Sequence, residues 1–427
     1  MRNYQWHGFF ALGGLVNVSP DPIAAAMPYL HHPPLVVWLS ALPVLLTGYS
    51  EALLRFVAAC CTILSTAAIY VLARRLAGQK YGFWSAVFFA LTPMMAYFGR
   101  MPDHEAPALL ICLLFAAVLV DWLRRPTRRG WWVLVLLTVL AVWTAWGAVI
   151  VIGVLGVMAL FHTRRRAAVI MLGIVALGAL IALLGYFVYL VPDAISDLIN
   201  AFVWRTSTNS LEPGAADFAW SQYGLRVVVR LLTLYAPTVM VLALIGIRFT
   251  RRGLHRGTIV ALPAAGFGYM LVFRNASYIH DYYMIFTAPG IALLAGGAVA
   301  LLPRTPLRWL RPLVVSLVVF LPIGLVRYVD DLYVGSDASM LTFARIIREH
   351  TEPGDVIMSD LPTIGYAIEF YAERAVQWDT PPAQAIGQTT VDDHAVYLLY
   401  CGGDLPDGVV LLSQVEVGAQ CRLARLR

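Results

Sequence analysis

The stretch RRPTRRGWWVLVLLTVLAVWTAWGAVIVIGVLGVMALFHTRRR, residues 124–166, decides how the chain folds. Two arginine clusters, Arg124, Arg125, Arg128, Arg129 and Arg164, Arg165, Arg166, bracket an apolar run from Trp131 to His162. About twenty apolar residues cross a bilayer, and loops rich in Lys and Arg stay on the cytoplasmic side. One long helix would place the clusters on opposite sides. An even number of crossings keeps them together. Tryptophan favours membrane interfaces, so Trp143-Thr144-Ala145-Trp146-Gly147 marks the turn between two short helices.

The same pattern extends along all 427 residues. Hydrophobic residues make up 60% of the chain and charged residues 13%, against roughly 25% charged in a soluble protein; the mean hydropathy is +0.73. A single soluble domain and a disordered chain are both excluded. Three more basic clusters stand between apolar runs: Arg74, Arg75, Lys80; Arg248, Arg251, Arg252, Arg256; and Arg304, Arg308, Arg311. The five together hold more than half of the 31 basic residues. The net charge of +6 therefore orients the protein and implies no nucleic acid partner.

These signals predict a polytopic α-helical membrane protein with about ten spans. They lie near 52–73, 82–99, 106–123, 131–145, 147–162, 168–190, 230–247, 257–273, 283–302 and 311–327. The opposite face then receives 1–51, 100–105, a turn near 146, 191–229, 274–282 and 328–427. Three regions follow: a first external loop at 1–51, a transmembrane bundle at 52–330 and an extracytoplasmic α/β domain at 335–427. Val36 to Leu46 is apolar but too short to cross, which predicts an interfacial helix. Met1 to Gly8 lacks the basic start and apolar core of a signal peptide.

In the tail, Met340 to Glu349 reads as an amphipathic helix with Met340, Phe343, Ala344 and Ile347 on one face. Pro353-Gly354-Asp355 turns into a strand at 356–359. Further strands are expected at 396–400, 409–412 and 415–423. Cys60, Cys61 and Cys112 lie in apolar runs, as small core residues do. Cys401 and Cys421 lie in the external tail, where a disulfide is one of two open states.

Chemistry-bearing residues gather in the external segments. Arg100-Met101-Pro102-Asp103-His104-Glu105 packs two carboxylates, a histidine and an arginine into a short turn that needs none of them for its shape. Solvated charges at a boundary are the plain alternative, but such density beside a bilayer marks a site. Asp103 and Glu105 suit proton transfer or a metal, and Arg100 and His104 suit an anionic group. Arg274-Asn275-Ala276-Ser277-Tyr278-Ile279-His280-Asp281-Tyr282-Tyr283 is the second cluster. Tyrosines there suit an aromatic belt, while Arg274, His280, Asp281 and Tyr282 suit a phosphate or sugar. Asn275-Ala276-Ser277 also matches a glycosylation sequon. The third segment, His31-His32-Pro33-Pro34, enters the membrane extended. Ion-coupled transporters place ionisable or broken-helix sites near the midplane, and the spans here carry almost no charge. An interfacial active site fits better than a conduction path.

Residues 1–330 resemble the GT-C glycosyltransferases that use polyprenyl-phosphate sugars, in particular bacterial relatives of protein O-mannosyltransferases and of the lipid A aminoarabinose transferase. Arg2-Asn3-Tyr4-Gln5-Trp6-His7-Gly8 resembles their "ARN-x-x-x-HG" stretch, and His32-Pro33-Pro34-Leu35 their "HPPL". Tyr49 to Phe56, Tyr70 to Leu76, Tyr97 to Glu105 and His280-Asp281-Tyr282-Tyr283 match further motifs in the same order. The resemblance implies a GT-C-like bundle that transfers a sugar from a polyprenyl-phosphate donor to a lipid, glycan or protein acceptor, at the outer face of the cytoplasmic membrane. It implies catalytic roles for Asp103 and Glu105, and substrate contacts from Arg100, His104, His32, Arg274, His280, Asp281 and Tyr282. No cofactor is required by it, and a divalent metal stays open. The family's first catalytic acid stands before the "ARN" stretch, so the resemblance also implies an acid and a span upstream of Met1; within the first loop, Asp21 is the only acid before Glu51. Three alternatives stand beside it. Asp103-x-Glu105, Trp143-x-x-Trp146-Gly147 and Glu212 suit an oligosaccharyltransferase-like enzyme, although Gln377-Trp378-Asp379 is a poor match to that family's tail motif. The others are a transporter or flippase of lipid-linked sugars and a non-catalytic membrane scaffold with a binding tail.

Overall fold

The computed structural model describes residues 4, 7–17, 28–207, 218–250, 253–301, 311–334, 339–359, 369, 371–377, 390–391, 394–401, 411–416 and 421–426. Arg2-Asn3, Asp21, Glu212 and Trp378-Asp379 lie outside them. The chain divides into two compact units, Leu30–Leu332 and the segments Met1–Tyr29 and Tyr333–Arg427.

The larger unit is a helical bundle. Helix α1, Leu35–Thr47, starts behind Pro33-Pro34 and buries Val36, Ser40, Ala41 and Val44 on one side. Leu39, Leu42, Leu45 and Leu46 are exposed. Thirteen residues reach only about 20 Å, in keeping with a helix that lies along an interface. Helix α2, Glu51–Ala77, ends at Gly78, whose φ of 97° suits glycine. Helix α3, Gln79–Ala90, bends by 63° into α4, Pro93–Tyr97, and a 3-10 turn at Phe98–Arg100. Pro93 has no N–H to continue the helix and holds Thr92 extended at ψ 141°.

Helix α5, Glu105–Arg124, is the hub, buried around all but the stripe of Leu110, Leu114, Val118 and Asp121. It packs on α2, on α6 (Arg128–Thr144) and on α7 (Trp146–His162). The chain leaves the helix between α6 and α7 only at Ala145, which is extended at φ −163° and ψ 147°. Next come α8, Arg166–Leu190, and α9, Ala194–Thr206. Helix α10, Trp220–Leu234, turns through 103° into α11, Pro237–Ile247. Helix α12, Leu254–Val272, leads to the short α13, Arg274–Ile279, a 3-10 turn at Asp281–Thr287, α14 at Ala288–Leu301 and α15 at Arg311–Val334.

Lipid offers no hydrophobic drive between helices, so close contact of small residues carries the association. A Cβ on Gly290 would come within 2.4 Å of Pro263 Cδ, and one on Gly296 within 2.3 Å of Ser85 Oγ. Helix α14 is thereby seated against α12 and α3.

By length and apolarity four segments suit a membrane crossing: Glu51–Ala77, Glu105–Arg124, Arg166–Leu190 and Asp281–Ala300. Counting each bent pair as one span raises the number to six. The expected count of ten is not reached by this measure. The shortfall comes from short helices such as α6 and α7, which at 17 residues extend about 25 Å.

In the smaller unit, β1 (Val16–Asn17) pairs with β2 (Pro28–Tyr29). Helix α16, Ser339–His350, buries Ala344 and Ile347 against a sheet ordered β4-β3-β6-β8-β7. The strands are β3 (Val356–Ser359), β4 (Val376–Gln377), β6 (His394–Cys401), β7 (Leu411–Glu416) and β8 (Cys421–Leu426); β5 (Thr390–Val391) pairs with β6. Strand β3 runs parallel to β4 and β6, and β8 is antiparallel to β6 and β7. The strands expected at 409–412 and 415–423 are redrawn. Ser413 and Gln414 lie within β7, where their backbone pairs with Arg425 and Ala424 of β8, and β8 starts at Cys421; residues 409–410 and 417–420 lie outside the described ones.

Candidate active site

Backbone anchors bring the second external loop to the head of α5. Gly99 sits so close to α2 that a Cβ would lie 2.8 Å from Thr62 Oγ1. The Thr62 hydroxyl instead donates to the Gly99 carbonyl at 2.6 Å. The Asp103 amide donates to Met101 O, and the His104 carbonyl takes the first helical bond, from Ala108. Asp103 Oδ1 accepts the His104 amide at 2.7 Å and faces His104 Nδ1 at 2.5 Å. His104 Nε2 lies 2.9 Å from Glu105 Oε1. His104 and Glu105 are buried at 5% and 3% exposure, whereas 36% of the Asp103 side chain reaches solvent. Asp103 Oδ2 makes no hydrogen bond among the described residues, where Oδ1 makes both contacts to His104.

The electrostatics follow from this packing. Burial pushes the His104 imidazole down, but Glu105 and Asp103 outweigh it and hold the ring up to about 10. Burial pushes the Asp103 carboxyl up; the charge and hydrogen bonds of His104 prevail and hold it well below the usual carboxylate range. The three residues offer ligand atoms within 4.8 Å of one another, close enough to share one metal ion.

His32 joins this cluster from the first loop. Its ring centre is 3.8 Å from that of His104. The Trp146 indole donates to the His31 carbonyl at 2.8 Å and fixes that loop over the start of α7. Arg205 Nη2, at the end of α9, lies 3.3 Å from His32 Nε2. Burial, then His104 and Arg205, keep His32 well below its ordinary value, so its Nε2 is an acceptor for the guanidinium. Arg205 is itself buried and forms part of the wall of a cavity of about 340 Å³. The rest of the wall includes Trp146, Ile150, Leu180, Leu184, Leu198, Phe202, Val272 and Phe273. The space is thus an apolar slot with one cation in its lining.

The 274–283 segment is pinned by α10. Arg230 donates to the carbonyls of Ser277, Tyr278 at 2.9 Å and Ile279 at 3.3 Å, and pairs with Asp281 at 2.5 Å. Arg226 lies 4.3 Å from the centre of the Tyr278 ring. His280 stacks on Tyr282, Tyr282 on Tyr283 and Tyr283 on Tyr269, with ring centres 5.1, 5.1 and 4.9 Å apart. Phe98, five residues before Asp103, meets Tyr282 at 6.3 Å. Burial and Arg230 hold His280 below its ordinary value against the pull of Asp103 and Asp281.

With this geometry in view, solved structures can be set beside the chain. ArnT from Cupriavidus metallidurans bound to undecaprenyl phosphate superposes with a TM-score of 0.70 at 14% identity, over 99% of this chain and 92% of that one. The two chains share a fold over nearly their whole lengths. The archaeal oligosaccharyltransferase AglB from Archaeoglobus fulgidus, in complex with an inhibitory peptide and a dolichol-phosphate, shares the fold at a TM-score of 0.59 and 12% identity, over 93% of this chain and 65% of its own. The arabinofuranosyltransferase AftD from Mycobacteria follows at 0.52 and 15%, over 99% and 39%. The family described as dolichyl-phosphate-mannose-protein mannosyltransferase matches residues 31–191. No curated protein matches the sequence.

Within this fold, Asp103, His104, Glu105 and His32 form one contact group. His280, Asp281 and Tyr282 form a second, which meets the 3-10 turn before Asp103 through Phe98. Asp281 spends its charge on Arg230. Arg100 closes the 3-10 turn, half-buried. Arg274 makes no ion pair among the described residues. Asn275 is fully buried and its amide donates to Trp204 O at 2.8 Å, so the sequon is closed to modification in this fold. Sequence reading missed Arg205 and Arg230. The signal for both was an arginine beside apolar neighbours: Arg205 near the end of α9, and Arg230, one turn after Arg226, at the start of the stretch read as a span.

Proposed function

We propose that the protein transfers a sugar from a polyprenyl-phosphate donor to an acceptor hydroxyl, at the outer face of the cytoplasmic membrane, with the C-terminal domain on that same face. The observation that carries this reading is the apolar slot with Arg205 in its wall, joined through His32 to the Asp103–His104–Glu105 cluster. A lipid phosphate needs that combination: apolar walls for the isoprenoid chain and a cation for the phosphate. The fold shared with a protein bound to undecaprenyl phosphate supports it.

On this reading Arg205 binds the phosphate that leaves. Asp103 Oδ2 accepts the proton of the attacking hydroxyl, and His104 holds Asp103 in place. The stacked His280 and Tyr282 face the sugar, whose C–H face suits an aromatic surface. A metal shared by Asp103, His104 and Glu105 would add positive charge beside the leaving phosphate.

The test is transfer by the full chain in liposomes, with polyprenyl-phosphate sugars of several kinds and Asp103→Asn as the comparison. Release of polyprenyl phosphate together with a new glycosidic product, lost in Asp103→Asn, is the expected result. Release from a pyrophosphate-linked oligosaccharide alone would favour the oligosaccharyltransferase-like reading, which the Asp103-x-Glu105 spacing and the likeness to AglB support. Movement of a lipid-linked sugar with no glycosidic product would favour the transporter.

A further inference from the structure

The two tail cysteines fall opposite each other in the sheet. In the antiparallel β6–β8 ladder the register runs Tyr397 with Arg425, Leu398 with Ala424, Leu399 with Leu423, Tyr400 with Arg422 and Cys401 with Cys421. Cys401 ends β6 and Cys421 begins β8, so the pair stands at the end of the ladder.

We propose that Cys401 and Cys421 are joined by a disulfide that closes the 402–420 segment, including β7, into a ring. Directly opposed residues of an antiparallel pair share one face of the sheet, with Cα atoms about 4.5–5.5 Å apart. That spacing falls inside the roughly 4.4–6.8 Å that a disulfide accepts. The inference rests on the reading that places the tail outside the cytoplasm, where disulfides persist. In the step itself the two thiols give up two protons and two electrons, and the sulfurs bond. The acceptor is a disulfide-carrying oxidant of that compartment, which leaves as a dithiol.

The bond fastens the edge of the sheet. Strand β7 is the last in the order and pairs only with β8 among the described strands. Its connection back to β6 runs through the 402–410 segment. A link between 401 and 421 holds both ends of that excursion at one point and reduces the freedom of the unfolded tail.

Differential alkylation of the full chain, in membranes from its own host, tests this. The protein is blocked with a maleimide under denaturing conditions without reductant, then reduced and labelled with a second reagent, and digested for mass spectrometry. The expected result is the second label alone on Cys401 and Cys421, and the first on Cys60, Cys61 and Cys112. The single variants Cys401→Ser and Cys421→Ser should each shift the remaining tail cysteine to the first label. First label on both tail cysteines of the wild type would overturn the proposal. A parallel labelling of intact cells after mild reduction, with a membrane-impermeant maleimide, separates the causes. Labelled tail cysteines there would show that only the disulfide is wrong, and unlabelled ones that the sidedness is wrong as well.

Discussion

The ring of His32 lies on the ring of His104, their centres 3.8 Å apart. This one contact brings the first external loop onto the acid cluster of the second, and Arg205 extends the chain at 3.3 Å from His32. Replacing His32 by Ala removes the link between Arg205 and the acids while leaving both in place. Transfer should fall, with a larger change in the donor KM than in kcat, since the loss is one of donor placement. Steady-state kinetics on the variant would show it, and an unchanged KM would count against the link.

Asp103→Asn keeps the shape of the side chain and removes its charge. Positioned proton transfer contributes typically 10²- to 10⁴-fold, so kcat should drop by about that factor with donor binding retained. Single-turnover sugar release measures the chemical step directly. A variant with full activity would remove Asp103 from the mechanism.

Arg205→Met should weaken binding of polyprenyl phosphate. A hydrogen bond to a charged group is worth about 1.5–3 kcal/mol, which corresponds to roughly 10- to 100-fold in Kd. Titration with polyprenyl phosphate in nanodiscs reads this without any turnover. The lipid alcohol, which lacks the phosphate, should bind both proteins alike.

The pH dependence of stability has a definite sign. His104 is raised from 6.5 to about 10 in the fold, so its contribution is fully present below pH 6.5 and is lost as pH rises through 10. Asp103 is depressed, so its contribution is present above its ordinary value and is lost only as pH falls into strong acid. The thermal midpoint in detergent should therefore decline between about pH 6.5 and 10, and the decline should be shallower in Asp103→Asn. A slope untouched by that substitution would mean that other groups set it.

Gly99→Val tests the anchor of the second loop. Its Cβ would meet Thr62 Oγ1 at 2.8 Å and push aside the bond that holds the turn. Overpacking of this kind costs about 1–3 kcal/mol. The midpoint should fall, and transfer should fall with it as Asp103 moves. Pairing the change with Thr62→Ala, which makes room, should restore part of both.

Much of the bundle was legible in the sequence because its signals are local. The arginine clusters and the tryptophan pair around Ala145 located the helix break between α6 and α7 from composition alone. Asp103, His104 and Glu105 drew notice because three ionisable groups crowd one short turn. What stayed hidden depended on contacts far apart in sequence. Arg205 reaches His32 across 173 positions, and Arg230 reaches Ser277 across 47; no spacing rule connects either pair. Local pattern also misplaced two tail strands, because Ser413 and Gln414 look like a turn when their partners on β8 are unknown. The span count differed for a related reason. Apolar composition marks where a chain can enter lipid, but not how long each helix grows before packing ends it.

The single-residue break at Ala145 bears on the membrane as much as on the protein. As crossings, α6 and α7 each offer about 25 Å, against the roughly 30 Å of hydrocarbon in an ordinary bilayer. Such hydrophobic mismatch is relieved by local thinning of the lipid. A thinned patch beside α7 would shorten the path by which a bulky isoprenoid headgroup descends to Trp146 and the slot below it. On the proposed function, acyl-chain length then becomes a control on transfer, with short-chain lipids matching α6 and α7 and long-chain lipids straining them.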